Sequence, residues 1–437
     1  MRYDCAPVKQ RRKKIQVPAD KSVAIDDLES SEEDIDDHFS THDTDTDMDP
    51  MSEFEYDNEN LMENRTVSNA SDNKHLTNKI NENDDCDNLN NVLPINQKDI
   101  QLNDWLLVSF VNVKMEFSSN KKVLMVTSDI PESAIKLLQS NFNTIVNYEH
   151  NREAMLAKVP GVSALFWSTK VKLDKEMIDA AGPQLEIVGA MSAGLDNIDV
   201  DELKRRNIKL SNTPEVLNAA VADIAVLLAL AASRRLHEGR LHIENNTWET
   251  NLLWMLGQDL EDSTVGIVGL GKIGEAIVKR LTVFNVKEFI YCGHREKEEA
   301  KKLGAKFVTF EELLRQSDFV IISCPLTDET RNMFNDDGFK KMKNTAVLVN
   351  VGRGGIIDQP ALVKALKGNQ IFAAGLDVMT PEPLPSDHEL VKLPNCVLIP
   401  HLGSSTMKTR TKMAELAANN IIRGLRGEEL LTPVFHL

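Results

Sequence analysis

The chain has 437 residues, about three times the length of a typical domain, which indicates two or three folding units. Its net charge of −17 is local: residues 1–119 carry 12 Lys and Arg against 27 Asp and Glu, and the rest is almost neutral. Neither part offers the basic surface that nucleic acid requires, so we exclude nucleic acid as the main partner.

Local composition argues against two further classes. The longest apolar run, 221–232, contains Asp223 and is too short to cross about 30 Å of hydrocarbon, so we predict no membrane span. The first residues lack an apolar secretory signal, and their acidic neighbours argue against a mitochondrial presequence. The five cysteines are far apart without a C-x-x-C pair, which predicts reduced thiols and a cytoplasmic location.

Residues 1–119 form the first predicted unit, an acidic tail. Most of it is rich in Asp, Glu, Asn and Ser with few large apolar side chains, so it cannot bury enough surface to offset the entropy of ordering and is predicted to be disordered. The run 43–49 resembles a calcium loop but lacks its Gly and Glu, and we predict no metal site. The basic patch 11–14 is a candidate nuclear-import signal. Met115 is a candidate alternative start.

Regular patterning begins at Lys122. Short, β-branched apolar runs alternate with helical stretches, and strands that alternate with helices imply crossover connections and a parallel sheet. The predicted strands are 123–127, 145–148, 164–167, 186–191 and 208–211, with helices at 134–138 and 200–206.

A long helix and a second alternating series follow. The stretch 217–236 is almost continuously apolar, which predicts one helix buried on most sides that bridges two α/β units. The second series runs from Thr264 to about residue 400. The last segment, 405–425, is predicted as an amphipathic helix whose apolar residues are Met413, Leu416, Ala417, Ile421 and Leu425.

The second series opens with Gly269, Gly271 and Gly274 in the spacing G-x-G-x-x-G, after an apolar strand and before a helix at 275–281. In this context the glycines allow a tight turn, a close approach of the backbone to a pyrophosphate, and packing of the helix on the strand. Free N–H groups at the helix start would face the phosphates. The motif therefore predicts a dinucleotide site, and the alternative is a purely structural turn.

The next strand bears on the choice of nucleotide. An acidic residue at its end would bind a ribose 2′-hydroxyl, whereas a basic residue would meet a 2′-phosphate. Here the strand 289–292 is followed by Gly293, His294 and Arg295, and Glu288 stands at its other end. We therefore predict NADP(H) as the preferred cofactor, with NAD(H) as the alternative.

Arg353, Glu382 and His401 each follow an apolar strand, at the edge where open α/β sheets bind ligands. Beside a dinucleotide they form a set suited to hydride transfer. A guanidinium can hold a carboxylate and polarise a ketone. An imidazole can protonate a developing alkoxide near neutral pH, and a neighbouring carboxylate would favour its protonated form.

These motifs resemble the D-isomer-specific 2-hydroxyacid dehydrogenase family from about Lys122 to the C-terminus. They are Gly-Leu-Gly-Lys-Ile-Gly at 269–274, Asn-Val-Gly-Arg-Gly-Gly at 350–355, Gly-Leu-Asp-Val at 375–378, Pro-Glu-Pro-Leu-Pro at 381–385 and Pro-His-Leu-Gly-Ser at 400–404. Within the family the chain is most similar to the branch that reduces glyoxylate and hydroxypyruvate, through Cys-Pro-Leu-Thr at 324–327 and Ala-Ala-Asn-Asn at 417–420.

The resemblance implies an α/β fold of two Rossmann-like domains with parallel sheets and an active site in the cleft between them. The substrate-binding domain would span 120–216, completed by 405–437, and the nucleotide-binding domain 217–404. The partner would be a small 2-keto acid, and the protein would be a homodimer.

The resemblance also implies roles for single residues. Arg353 would bind the 2-keto acid, His401 would be the acid–base group paired with Glu382, and the N–H groups of Ala193 and Gly194 would bind the substrate carboxylate. Around the cofactor, Gly271, Lys272 and Ile273 would meet the pyrophosphate, His294 and Arg295 the 2′-phosphate, and Pro325, Val351, Asp377 and Gly403 the nicotinamide.

Trp254 matches a tryptophan that reaches a neighbouring subunit's active site, and the alternative is a hydrophobic anchor of its own loop or a dimer contact. Two departures from the family pattern are Asp223, where Glu is usual, and His294, where Arg is usual.

Two other functions remain open. One is a dinucleotide-sensing corepressor of the same fold, and the other is a different D-2-hydroxyacid dehydrogenase, acting on phosphoglycerate or D-lactate.

Overall fold

The computed structural model describes residue 118 and residues 120–436. All of the predicted acidic tail except Ser118, including the basic patch 11–14 and Met115, lies outside the described residues. Over the described range, no helix combines the length and apolar content that a membrane crossing requires.

The first half of the described chain forms a five-stranded parallel sheet. Its strand order is β2-β1-β3-β4-β5, so the sheet grows in opposite directions from β1. A helix links each strand to the next, as parallel strands require. The strands are β1 (Val123–Val126), β2 (Asn143–Val146), β3 (Ala164–Trp167), β4 (Ile187–Ala190) and β5 (Lys209–Ser211), and the helices are α1 (Glu132–Asn141), α2 (Arg152–Lys158), α3 (Lys175–Ala181) and α4 (Val200–Arg205).

The second half forms a seven-stranded parallel sheet in the order β12-β11-β10-β9-β6-β7-β8. Two parallel sheets confirm the predicted α/β class. The strands are β6 (Thr264–Val268), β7 (Glu288–Cys292), β8 (Ala305–Phe307), β9 (Phe319–Ile322), β10 (Val347–Asn350), β11 (Ala373–Leu376) and β12 (Cys396–Leu398). The helices are α5 (Asn218–Ser233), α6 (Leu236–Glu244), α7 (Lys272–Leu281), α8 (Glu298–Lys302), α9 (Phe310–Gln316), α10 (Asp336–Lys341), α11 (Gln359–Lys367) and α12 (Met407–Leu425).

The helix predicted over 217–236 corresponds to α5, but α5 ends at Ser233, before the predicted end, and a new helix, α6, follows. Arg235 adopts a left-handed backbone with φ of 52°. The N–H of Gln258 donates to the Ser233 carbonyl over 3.0 Å. Gly257 lies so close that a β-carbon there would be 2.4 Å from the same oxygen. A loop distant in sequence therefore caps the helix end.

The predicted strand 145–148 was also displaced, since β2 covers Asn143–Val146. Its pairing with β1 sets this register, because the last pair joins Val126 to Val146. Tyr148, which was predicted to lie in the strand, is 68% exposed. The predicted strand 164–167 coincides with β3, whose four residues are all buried.

The C-terminal helix α12 packs against α1 and β4, so it lies on the five-stranded sheet. Met413, Ala417 and Ile421 are buried on its inner face, as the apolar pattern predicts. The helix comes so close to β4 that a β-carbon on Gly189 would lie 2.7 Å from Ile421 and 3.1 Å from the Ala417 carbonyl. This approach requires a residue without a side chain.

We expect Gly189→Val to lower the free energy of unfolding by about 1–3 kcal/mol, because the added carbons overpack a filled interface between α12 and β4. The denaturant midpoint of the full chain measures the loss. Gly239→Ala in α6 is the control, since a β-carbon there meets only the end of Met255 at 3.6 Å. A midpoint for Gly189→Val equal to that of the wild type would contradict the packing argument.

Candidate active site

The glycine turn after β6 is shaped to approach a ligand. Gly269 has φ of 89°, and a β-carbon there would lie 2.6 Å from Cys324, while one on Gly274 would lie 2.8 Å from the Gly269 carbonyl. A β-carbon on Gly271 would meet nothing within 4 Å, so its backbone borders open space. Helix α7 starts at Lys272, and no side chain caps its first turn. The first N–H groups of the helix can therefore face a phosphate.

A cavity of about 290 Å³ adjoins this turn. Its wall contains three basic residues, His294, Arg295 and Lys297, and no carboxylate lines it in the described part of the chain. Lys297 was not among the predicted residues. Its Nζ donates to the Leu270 carbonyl over 2.6 Å, and its backbone N–H donates to the Tyr291 hydroxyl over 2.8 Å. The cavity therefore offers a basic surface beside the glycine turn, where a negatively charged group can bind.

The residues predicted for the nicotinamide end lie at the ends of β9, β10, β11 and β12. Pro325 lines the cavity, and Val351 is buried beyond β10. Asp377 is buried, and its two carboxylate oxygens accept hydrogen bonds from the N–H groups of Leu402 (2.5 Å) and Gly403 (3.0 Å). Burial raises the pKa of Asp377, and these hydrogen bonds oppose the rise. In the structure Asp377 therefore positions the loop that carries His401.

His401 and Glu382 form a hydrogen-bonded pair. The imidazole Nδ1 lies 2.9 Å from Oε2 of Glu382, and Oε1 accepts from the N–H of Met379 over 3.0 Å. Burial alone would raise the pKa of Glu382, but hydrogen bonds from His401, Lys170 and Met379 lower it to about 2. Glu382 is thus a carboxylate near neutral pH. It holds a proton on Nδ1 and leaves Nε2 for a substrate.

Arg353 reaches from the end of β10 to the loop after β4. Its Nε donates to Asp196 over 2.6 Å, and its Nη1 donates to the Gly352 carbonyl over 2.8 Å. A β-carbon on Gly194 would lie 1.7 Å from Nη2, so the guanidinium lies directly over this glycine. The buried amide of Asn350 binds both the Gly352 N–H and the Arg353 carbonyl, which orients the turn.

The loop beneath Arg353 presents backbone donors. The carbonyls of Ala193 and Gly194 accept from the side chains of Asn212 (3.0 Å) and Ser192 (2.7 Å). Among residue 118 and residues 120–436, the N–H groups of Ala193 and Gly194 have no hydrogen-bond partner. Two free donors beside a guanidinium can bind one carboxylate.

A second contact joins the two halves of the site. Lys170, in the loop after β3, forms an ion pair with Glu382. The amide of Asn197 donates to the carbonyls of Thr169 (2.7 Å) and Val171 (3.1 Å), so the loop of Lys170 adjoins the loop that contains Asp196. Arg353 and the Glu382–His401 pair therefore face the same wall of the five-stranded sheet.

Trp254 lies in a different cavity, of about 390 Å³, beside α6. Its ring packs edge-on against His242 at 5.0 Å between centroids. The neighbouring side chains of Leu252 and Leu253 are 95% and 80% exposed. The structure therefore places Trp254 among residues of its own loop and α6, beside a large exposed apolar surface.

Sequence reasoning missed Lys170, Asp196 and Lys297. All three follow the carboxyl end of a strand, which is the position that identified Arg353 and Glu382. Each stands in a loop with several other polar residues, so the position alone does not distinguish it.

Comparisons with known proteins identify relatives of this chain. Residues 226–403 match the family model for the NAD binding domain of D-isomer specific 2-hydroxyacid dehydrogenases. The chain is 46% identical over 274 residues to the glyoxylate reductase/hydroxypyruvate reductase of Mus musculus, covering 62% of this chain and 84% of the relative. It is 43% identical over 316 residues to the glyoxylate reductase of Pyrococcus horikoshii, covering 70% and 94%.

A solved structure is similar as well. It is the NADPH-dependent glyoxylate/hydroxypyruvate reductase of Sinorhizobium meliloti in complex with NADP and malonate. It has 33% sequence identity to this chain and a TM-score of 0.64, and the match covers 72% of this chain and 97% of that one. The glycine turn, the paired imidazole and carboxylate, and these similarities lead to one conclusion. The chain belongs to the D-isomer specific 2-hydroxyacid dehydrogenase family and is an NAD(P)-dependent oxidoreductase.

Proposed function

We propose that the protein reduces glyoxylate to glycolate and hydroxypyruvate to D-glycerate with NADPH. The observation that carries this proposal is the shared wall of the site. On it Arg353 lies over Gly194, and the Glu382–His401 pair is held nearby through Lys170. The relatives named for these reductions, at 43–46% identity, support the choice of substrates.

Substrate binding rests on Arg353 and the loop after β4. The free N–H groups of Ala193 and Gly194 bind the carboxylate of the 2-keto acid, and Nη2 of Arg353 lies close enough to bind it together with the ketone oxygen. Asp196 holds the Nε side of the guanidinium, so Nη2 faces the substrate. This arrangement fixes the carbonyl between Arg353 and His401.

Proton transfer belongs to His401. When bound, NADPH would supply the hydride that the carbonyl carbon accepts. The protonated imidazole gives its Nε2 proton to the carbonyl oxygen, so the product is a neutral hydroxyl group. Glu382 stays ionised, retains the Nδ1 proton and stabilises the imidazolium before the transfer.

The cofactor would extend along the carboxyl edge of the seven-stranded sheet. The glycine turn would hold its pyrophosphate, through Gly269, Gly271, Lys272, Ile273 and Gly274. His294 and Arg295 would bind the 2′-phosphate, with Lys297 as a third basic group. Pro325, Val351, Asp377 and Gly403 would line the nicotinamide site.

The proposal also covers the domain boundaries, the oligomeric state and the cellular location. Residues 120–216 with 405–437 form the substrate domain, and 217–404 form the nucleotide domain. The protein is a homodimer whose interface covers Trp254 and the exposed leucines beside it. It acts in the cytoplasm, in keeping with free thiols at Cys292, Cys324 and Cys396 among the described residues.

We expect the wild-type chain to oxidise NADPH faster than NADH, and to do so with glyoxylate and hydroxypyruvate rather than with pyruvate or 3-phosphohydroxypyruvate. Arg295→Ala should lower kcat/KM for NADPH about 10-fold relative to NADH, because one charge-assisted hydrogen bond is lost. Absorbance at 340 nm follows each reaction.

Two other outcomes of these assays would favour a different function. Preference for pyruvate or 3-phosphohydroxypyruvate would identify a different dehydrogenase. Negligible turnover with tight NADPH binding would support the corepressor-like alternative. The control variant Arg315→Ala removes an exposed surface pair on α9 and should keep the wild-type cofactor preference.

His401→Ala should lower kcat for hydroxypyruvate reduction about 10²- to 10⁴-fold, because the proton donor is lost. Steady-state kinetics measure the change. His150→Ala, in an exposed loop, is the control and should retain the wild-type rate. A His401→Ala rate equal to that of the wild type would remove His401 from the mechanism.

Arg353→Ala should raise KM for hydroxypyruvate about 10- to 100-fold, because charge-assisted hydrogen bonds to the substrate are lost. NADPH affinity, measured by fluorescence titration, should stay within about twofold of wild type, since the Arg353 side chain contacts Asp196 and the loop of Gly194. Equal losses of substrate and nucleotide affinity would argue against a substrate-specific role.

A further inference from the structure

Lys170 and His401 share one oxygen of Glu382. Oε2 accepts from Nδ1 of His401 at 2.9 Å and from Nζ of Lys170, while Oε1 is occupied by the Met379 N–H. The two donors come from different sheets. Lys170 follows β3 of the five-stranded sheet, whereas Glu382 and His401 follow β11 and β12 of the seven-stranded sheet.

The contact differs from an ordinary surface ion pair. The Glu382 side chain is 17% exposed, whereas that of Lys170 is 63% exposed, so the lysine closes the solvent side of a largely buried carboxylate. The loop of Lys170 is itself held in place, since the carbonyls on both sides of it accept from Asn197. The neighbouring Asp196 is tied to Arg353.

The charged and titratable groups in and around the pair belong to the loops after β3, β11 and β12. Lys170 follows β3, Asp377 and Glu382 follow β11, and His401 follows β12. The two oxygens of Asp377 accept from the backbone N–H groups of Leu402 and Gly403, whereas Oε2 of Glu382 accepts from both the imidazole and Lys170. Lys170 is therefore the group that competes directly with His401 for the carboxylate.

We propose that Lys170 is a positioning residue of the reduction: it fastens the loop after β3 to Glu382 and shares with His401 the oxygen that orients the imidazole. The proposal rests on the proposed role of His401 as the proton donor. Without the ammonium, Glu382 interacts with His401 alone, and the imidazolium is stabilised more strongly. Lys170 thus sets the pH range over which His401 can deliver its proton.

The test compares Lys170→Met with Lys170→Arg in the full chain. For Lys170→Met we expect the alkaline limb of the pH profile of kcat/KM for hydroxypyruvate reduction to move up by about half a pH unit. This shift corresponds to the free energy of a partly exposed ion pair. The acid limb of D-glycerate oxidation should move in the same direction. Lys170→Arg should restore the wild-type limbs. A loss of packing alone would lower the rates without moving either limb.

Lys172→Met is the matched control, because this lysine is exposed two residues further on. It should leave both limbs in place. Unmoved limbs in Lys170→Met, or an equal shift in Lys172→Met, would overturn the proposal.

An NMR titration of ¹³C-labelled histidine separates this proposal from the proposed function. The His401 signal, assigned with His401→Asn, should titrate about half a pH unit higher in Lys170→Met than in the wild type. If the wild type reduces no 2-keto acid, the titration still decides whether Lys170 acts on His401. An unchanged midpoint would refute the proposed effect whatever the activity.

Discussion

The largely buried carboxylate of Glu382 is the group on which the candidate site depends. Burial by itself would favour its neutral form, which could not fix the imidazole. Three donors, on Met379, Lys170 and His401, instead keep it ionised, with a pKa of about 2. Its charge then determines which nitrogen of His401 carries a fixed proton and which one stays free of Glu382.

Parallel strands explain how distant residues reach this carboxylate. All strands of a parallel sheet end at one edge, so loops separated by many residues meet there. In the seven-stranded sheet this edge carries the glycine turn, Arg353, Glu382 and His401. In the five-stranded sheet it carries Lys170 and the loop with Gly194. Two ion pairs, Arg353–Asp196 and Lys170–Glu382, connect the edges.

Many of these features could be predicted because their signals are local. A short apolar run identifies a strand, as at β3. The spacing of Gly269, Gly271 and Gly274 identifies a turn that a phosphate can approach, and a polar residue directly after a strand identifies a candidate site residue. The two parallel sheets and the family followed from such signals.

The predictions that failed involved partners from elsewhere in the chain. The end of α5 is set by Gln258, and the register of β2 is set by its pairing with β1. Neither partner can be identified from the segment it acts on.

The amino-acid sequence by itself determined the fold class, the family and the positions of Arg353, Glu382 and His401 at strand ends, because these depend on residue types and spacings along one stretch of chain. Only the tertiary structure decided that Lys170 shares an oxygen with His401 and that Asp196 holds Arg353. Those contacts join loops of two separate sheets, and which loops meet depends on how the sheets pack.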